Sequence, residues 1–174
     1  MSRGTEPEIL CGTFLEDSRG IFSKLYPIPE SYGFEFSVEE IFWSTSARGA
    51  VRGLHFQLEP DEIGKIVWVS HGSIFDVLVD LREGETFGAV STYDLCATSG
   101  DSLFVPRGFA HGFQALEEMS IVSYAVDGVF SPARDAGIRW DSVGAEWPLE
   151  VTVISERDKV QPALADFHTR FGRR

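Results

Sequence analysis

Short apolar runs closed by Gly, Pro, Asp or Ser dominate the middle of the chain. In KIVWVSHGSIFDVLVDL, Lys65 to Leu81, the pattern predicts two strands around a turn at His71-Gly72. In its second half Phe75, Val77, Val79 and Leu81 alternate with Asp76 and Asp80, the two-residue period of a strand. That alternation assigns the aspartates to a structural or solvent-facing side. GAVSTYDLCA, DSLFVP, HGFQAL and SIVSYAV continue the series, and VRGLHFQ, Val51 to Gln57, is a further strand candidate. Helix signals are few: a possible turn around Pro29–Tyr32 and PALADFHTRF (162–171), which carries His168. Closely spaced short strands with few helices predict an all-β fold, a jelly-roll β-barrel with a few short helices. At 174 residues one domain, 1–174, is expected, with a dimer formed by strand exchange or sheet extension to cover its edges.

Polar groups inside the best strands are the anomaly in this picture. The chain has four histidines, and two of them, His55 and His111, lie in strand-forming segments. Small barrels either fill their interior or keep a ligand cavity there, and a wet cavity tolerates inward polar side chains. Arg52 and His55 are an odd number of residues apart, so a regular strand sends them to opposite faces. Both can face one pocket only if the strand bulges between them, and Gly53 is where that is cheapest.

Charge and cysteine usage narrow the partners. A net charge of −12 argues against nucleic acid and anionic membranes, and requires a local basic cluster for any anionic substrate. Cys11 and Cys96 lack CxxC spacing, which favours reduced thiols. The start, MSRGTEPEIL, lacks an apolar signal core, so a cytoplasmic location is expected. His71, on a turn, and His168 read as structural.

The segment Gly100, DSLFV, Pro106, Gly108, His111 resembles the second motif of the cupin barrels, with Ala115 at the position usually Asn. The first cupin motif maps to His55-x-Gln57, then Lys65, six residues, and Gly72. Lys65 thus stands where a metal-binding cupin has its carboxylate, and Gln57 where it has a second imidazole. A charged ammonium offers no lone pair and repels a dication, and two histidines alone hold a first-row metal poorly. No metal and no cofactor are therefore expected. The competing reading is a metal-dependent cupin using His55, His111 and Glu59 or Glu62.

RGLHFQ, Lys65, GSIFDVLVDLREGETFG, VPRGFAHGF and GIRW together resemble the dTDP-4-dehydrorhamnose 3,5-epimerase family over most of the chain, from Asp17 to Asp158. The resemblance implies inversion of carbons beside the C4 ketone of a nucleotide-linked 4-keto-6-deoxyhexose. Such chemistry needs a base, an acid across the ring and a fixed positive charge at the ketone oxygen. The resemblance assigns these roles to His55 as base with Asp158 behind it, Tyr124 as acid and Lys65 at the oxygen. It implies that Arg52, Gln57 and His111 line the pocket. DSRGIF implies Arg19 for phosphate and Phe22 for base stacking in a neighbouring subunit, hence a homodimer. Phe130 and Asp135 stand at substrate-side positions where the family has Tyr and Glu, and Lys24, Glu40 and Phe42 also depart from its pattern. The nucleobase, and whether C3, C5 or both invert, are left open. A monoepimerase on another nucleotide ketosugar and a binding module without turnover are the alternatives.

Overall fold

The computed structural model describes residues 4–25, 36–168 and 171; the turn expected at Pro29–Tyr32 lies outside the described residues. The strands are β1 (Glu8–Leu10), β2 (Thr13–Asp17), β3 (Gly20–Lys24), β4 (Glu40–Ser46), β5 (Val51–Gln57), β6 (Lys65–His71), β7 (Ser73–Asp80), β8 (Val90–Cys96), β9 (Ser102–Val105), β10 (Phe109–Ala115), β11 (Ser120–Val126) and β12 (Asp135–Gly137). Each strand expected from the apolar runs forms, and Gly72 takes the β6–β7 turn with φ of +75°. One sheet runs β1-β9-β6-β11-β4 and the other β12-β5-β10-β7-β8, each with antiparallel neighbours. Facing sheets in this order make a jelly-roll barrel of the cupin type. A separate hairpin, β2-β3, projects from it.

Three apolar clusters hold the barrel. Between the sheets, Val67, Leu103, Val122 and Tyr124 of one meet Ile74, Leu78, Phe109 and Phe113 of the other. A second cluster covers the outer face of the second sheet, where Val77, Val79 and Leu81 pack under Ile138, Val143 and Phe171. The third lies outside the first sheet, around Ile66, Phe104, Leu10 and Phe36. Each fully buried large aliphatic contributes about 1.5–3 kcal/mol.

The second cluster explains a correction. Strand β7 is buried on both faces, so its apolar side, Phe75 to Leu81, lies under the C-terminal segment. Its other side points into the barrel, and Asp76 is fully buried there rather than solvated. Asp80 is structural as expected: it binds Arg82 at 2.6 Å. The tail is also corrected. Among the described residues of PALADFHTRF the helical part is a 3-10 turn at Leu164–Asp166, and His168 lies outside it, exposed. What orders the segment is the anchoring of Phe167 and Phe171 on Phe56, at centroid distances of 5.3 and 5.8 Å.

The irregularity in β5 falls where parity demanded it. Opposite β10, His111 pairs with His55 and Phe113 with Arg52, so Gly53 and Leu54 share the single partner Gly112. This is a bulge, and it needs glycine on both strands. Gly53 has φ of +126°, and a Cβ there would lie 2.5 Å from Gly112 Cα. A Cβ on Gly112 would meet Arg52 O at 2.6 Å. No helix among the described residues is long and apolar enough to cross a membrane.

Gly53→Ala is expected to lose at least about 1–3 kcal/mol of stability through overcrowding. It should lose activity beyond that, because Arg52 and His55 would no longer share a face. Urea midpoints and kcat/KM on the refolded protein check this; wild-type values for both would refute the role of the bulge.

Candidate active site

A cavity of about 690 Å³ opens between the two sheets, within the range that holds small ligands. Strand β5 and helix α1 (Glu156–Lys159) build one wall. Ser155 caps α1 by accepting a hydrogen bond from the Asp158 backbone N–H at 3.1 Å. That cap fixes the buried Asp158 carboxylate behind β5. The carboxylate meets His55 Nε2 at 2.6 Å and accepts the Gly53 N–H at 3.4 Å. Burial raises the Asp158 pKa, but the hydrogen bond and charge of His55 and the Gly53 amide hold it below the usual carboxylate range. An ionised carboxylate only accepts, so Nε2 carries the proton and Nδ1 keeps its lone pair. The imidazole is a third exposed and lines the cavity.

The facing sheet supplies Tyr124 and Lys65. Both are inward on β11 and β6, where Tyr124 pairs with Val67 and Val126 with Lys65. Burial first, and then the nearby Asp76 charge, push the Tyr124 hydroxyl well above its ordinary range, so it stays protonated. Lys65 crosses the barrel and donates from Nζ to the His55 carbonyl at 3.2 Å. Burial lowers its pKa to about 8, against the opposing pull of Asp76 and Asp135. His111, on β10, is buried and bonded through Nε2 to Asp76 Oδ2 at 2.8 Å. Its ring meets Tyr124 edge-on, centroids 6.0 Å apart.

Cationic groups ring the same cavity. Arg52 lines it and is held by Ser46 Oγ at 2.9 Å and Thr45 O at 3.0 Å. Arg157 lines it too, paired with Asp135 at 2.7 Å. With Lys65 these satisfy the local basic cluster that a chain of charge −12 needs for an anionic ligand. Phe130 lies half-exposed in the cavity wall. Gln57 borders the cavity, but its amide is taken up by backbone: it donates to Asp61 O and Val129 O and accepts from Ser131 N–H at 2.6 Å. These bonds tie it to the loop that carries Phe130.

Arg19 and Phe22 are not brought to this cavity. They sit on the exposed β2–β3 hairpin, where Arg19 pairs with Asp17 at 2.6 Å and Phe22 is 59% exposed. Sequence reasoning missed Asp76 and Arg157 as neighbours of the site, and noted Phe42 only as a departure from the family pattern. The signal for Arg157 was its place next to Asp158 in SERDK. Asp76 could be found only by knowing that β7 is covered on both sides. Among the described residues, no group of three or more His, Cys, Asp or Glu lies together as a metal-ion site.

A base backed by a carboxylate, a protonated phenol on the facing sheet and an ammonium between them can exchange protons at carbon. The class this defines is a jelly-roll isomerase. The family model described as dTDP-4-dehydrorhamnose 3,5-epimerase matches residues 8–166, and the chain belongs to that family of epimerases. A dTDP-4-dehydrorhamnose 3,5-epimerase of Sinorhizobium fredii is 40% identical over 165 residues, which are 89% of this chain and 83% of that protein. The Bacillus anthracis enzyme of the same name, solved with TDP and PPi bound, superposes with a TM-score of 0.86 at 36% identity, covering 91% of this chain and 94% of that one. A Legionella pneumophila dTDP-6-deoxy-D-glucose-3,5-epimerase in complex with dTDP-4-keto-L-rhamnose gives a TM-score of 0.87 at 29% identity, over 93% and 89% of the two chains.

Proposed function

We propose that the protein inverts C3, C5 or both in a nucleotide-linked 4-keto-6-deoxyhexose, without a metal or organic cofactor. The observation that carries this reading is the His55–Asp158 pair facing Tyr124 and Lys65 across one cavity. His55 Nδ1 removes the proton beside the ketone, and the bonding pair moves to the C4 oxygen as an enolate. Lys65 stabilises that oxygen with its charge. Tyr124 gives its hydroxyl proton to the carbon from the opposite face, and solvent restores it; His55 returns its proton to solvent. Arg52 and Arg157 are suited to the pyrophosphate by their planar forks. Lys65 and Gln57, neither a useful ligand here, support the metal-free reading.

A homodimer fits the surface. A lone two-stranded hairpin is marginal in water, yet β2–β3 exposes Leu15, Ile21 and Phe22 at 59%, 51% and 59%. Edge strand β4 likewise exposes Ile41 and Trp43. In our reading a second copy covers these faces, and Arg19 and Phe22 reach its cavity to hold phosphate and base.

Incubation with the ketosugar nucleotide in deuterium oxide containing EDTA should place deuterium at C3, C5 or both. His55→Ala should cut exchange by about 10²–10⁴-fold. No exchange by the wild-type protein with thymidine, cytidine or guanosine carriers would reject the reading. The pH profile gives a second check. Lys65 serves only when protonated, so kcat/KM should fall roughly tenfold per unit above about pH 8. Lys65→Arg should remove that limb; a limb unchanged in the variant assigns it elsewhere. Sedimentation should show a dimer, and Leu15→Glu with Ile21→Glu a monomer with weakened substrate binding; a monomeric wild type would refute the shared site.

A further inference from the structure

Tyr124 is the proton donor in the reading above, and its position depends on a neighbour at the barrel's open edge. Among the described residues, strand β4 is the last strand of its sheet. Phe42 on β4 is the direct register partner of Tyr124 on β11. Their rings stack at a centroid distance of 4.8 Å and an interplanar angle of 19°. Tyr124 also meets the His111 ring at 71°, and His111 is itself pinned by Asp76. The phenol therefore touches two rings, a fixed imidazole and a phenylalanine that is 42% exposed and lines the cavity. A phenylalanine that open contributes little core burial. Its larger effect is on the ring it touches, where cross-strand aromatic pairs are worth about 0.5–1.5 kcal/mol beyond area.

We propose that Phe42 is a positioning residue for the proton donor, and that by stacking on Tyr124 it decides how often an enolate is completed to inverted product rather than returned to the starting sugar. The inference rests on the epimerase reading. Abstraction by His55 does not involve Phe42, since His55 and Asp158 stand on the opposite wall. Delivery does, because the Tyr124 O–H must point at carbon when the enolate is present. A phenol free to swing leaves the enolate to take back a proton from the His55 imidazolium. No bond change is added to the reaction: the C–H broken on one face is remade on the same face instead of the other. In deuterium oxide the His55 proton is replaced by solvent deuterium before some returns, so unproductive cycles appear as deuterated starting sugar.

The test is the partition between deuterium in recovered starting sugar and in inverted product, measured by NMR under identical conditions. In Phe42→Ala the ratio of deuterated starting sugar to inverted product should rise at least about tenfold, the scale of effect of small misplacements of a reacting group. Phe42→Leu keeps apolar volume without a ring and should also raise the ratio. This covers the case in which Phe42→Ala does not fold. Phe42→Tyr and Phe42→Trp keep the stack and should restore the wild-type partition. A merely structural role would lower exchange and inversion by one common factor and leave the ratio alone. That result, or an unchanged ratio in both Phe42→Ala and Phe42→Leu, overturns the inference while the epimerase reading stands. A wild-type protein that shows no exchange at all overturns both.

Discussion

Two glycines approach each other across β5 and β10 more closely than any side chain would allow, and the site depends on that approach. Gly53 and Gly112 let two residues of one strand stand opposite one of the other, which turns Arg52 and His55 toward the same cavity. The same distortion brings the Gly53 N–H to the Asp158 carboxylate. One backbone irregularity thereby sets the direction of a cation, the direction of a base and part of the environment of the base's partner. Bulges beside active sites commonly re-aim side chains in this way.

Around that point the barrel separates work by wall. The second sheet, with α1 behind it, carries His55, a third exposed, against the buried Asp158 carboxylate. The first sheet carries Tyr124 and Lys65, both buried, and burial acts on them in opposite directions. It keeps the neutral phenol protonated and makes the charged ammonium easier to deprotonate. Asp76 sits between, buried with His111, and its charge opposes the loss of the Lys65 proton while strengthening retention of the Tyr124 proton. The polar groups placed in the strands are therefore a set whose charges depend on one another.

Much of this was legible in the residues. The two-residue period from Phe75 to Leu81, the turn at Gly72 and the parity of Arg52 and His55 are local consequences of chain geometry, and they held. What failed was non-local. Alternation along β7 marks two faces but cannot say that the C-terminal segment will cover the apolar one, so it left Asp76 between a structural and a solvent-facing side. The backbone partners that tie up the Gln57 amide at Val129 and Ser131 are more than seventy residues away, so no local pattern announces them. The tail's apolar residues matched a helix, but Phe167 and Phe171 each answer to Phe56 instead, and tertiary packing overrides weak propensity.

The orienting carboxylate of His55 arrives from 103 residues downstream, on the segment that also seals the outer face of β7. One wall of the cavity is therefore finished by a distant downstream stretch, and the placing of the imidazole draws on the same part of the chain that closes the second core.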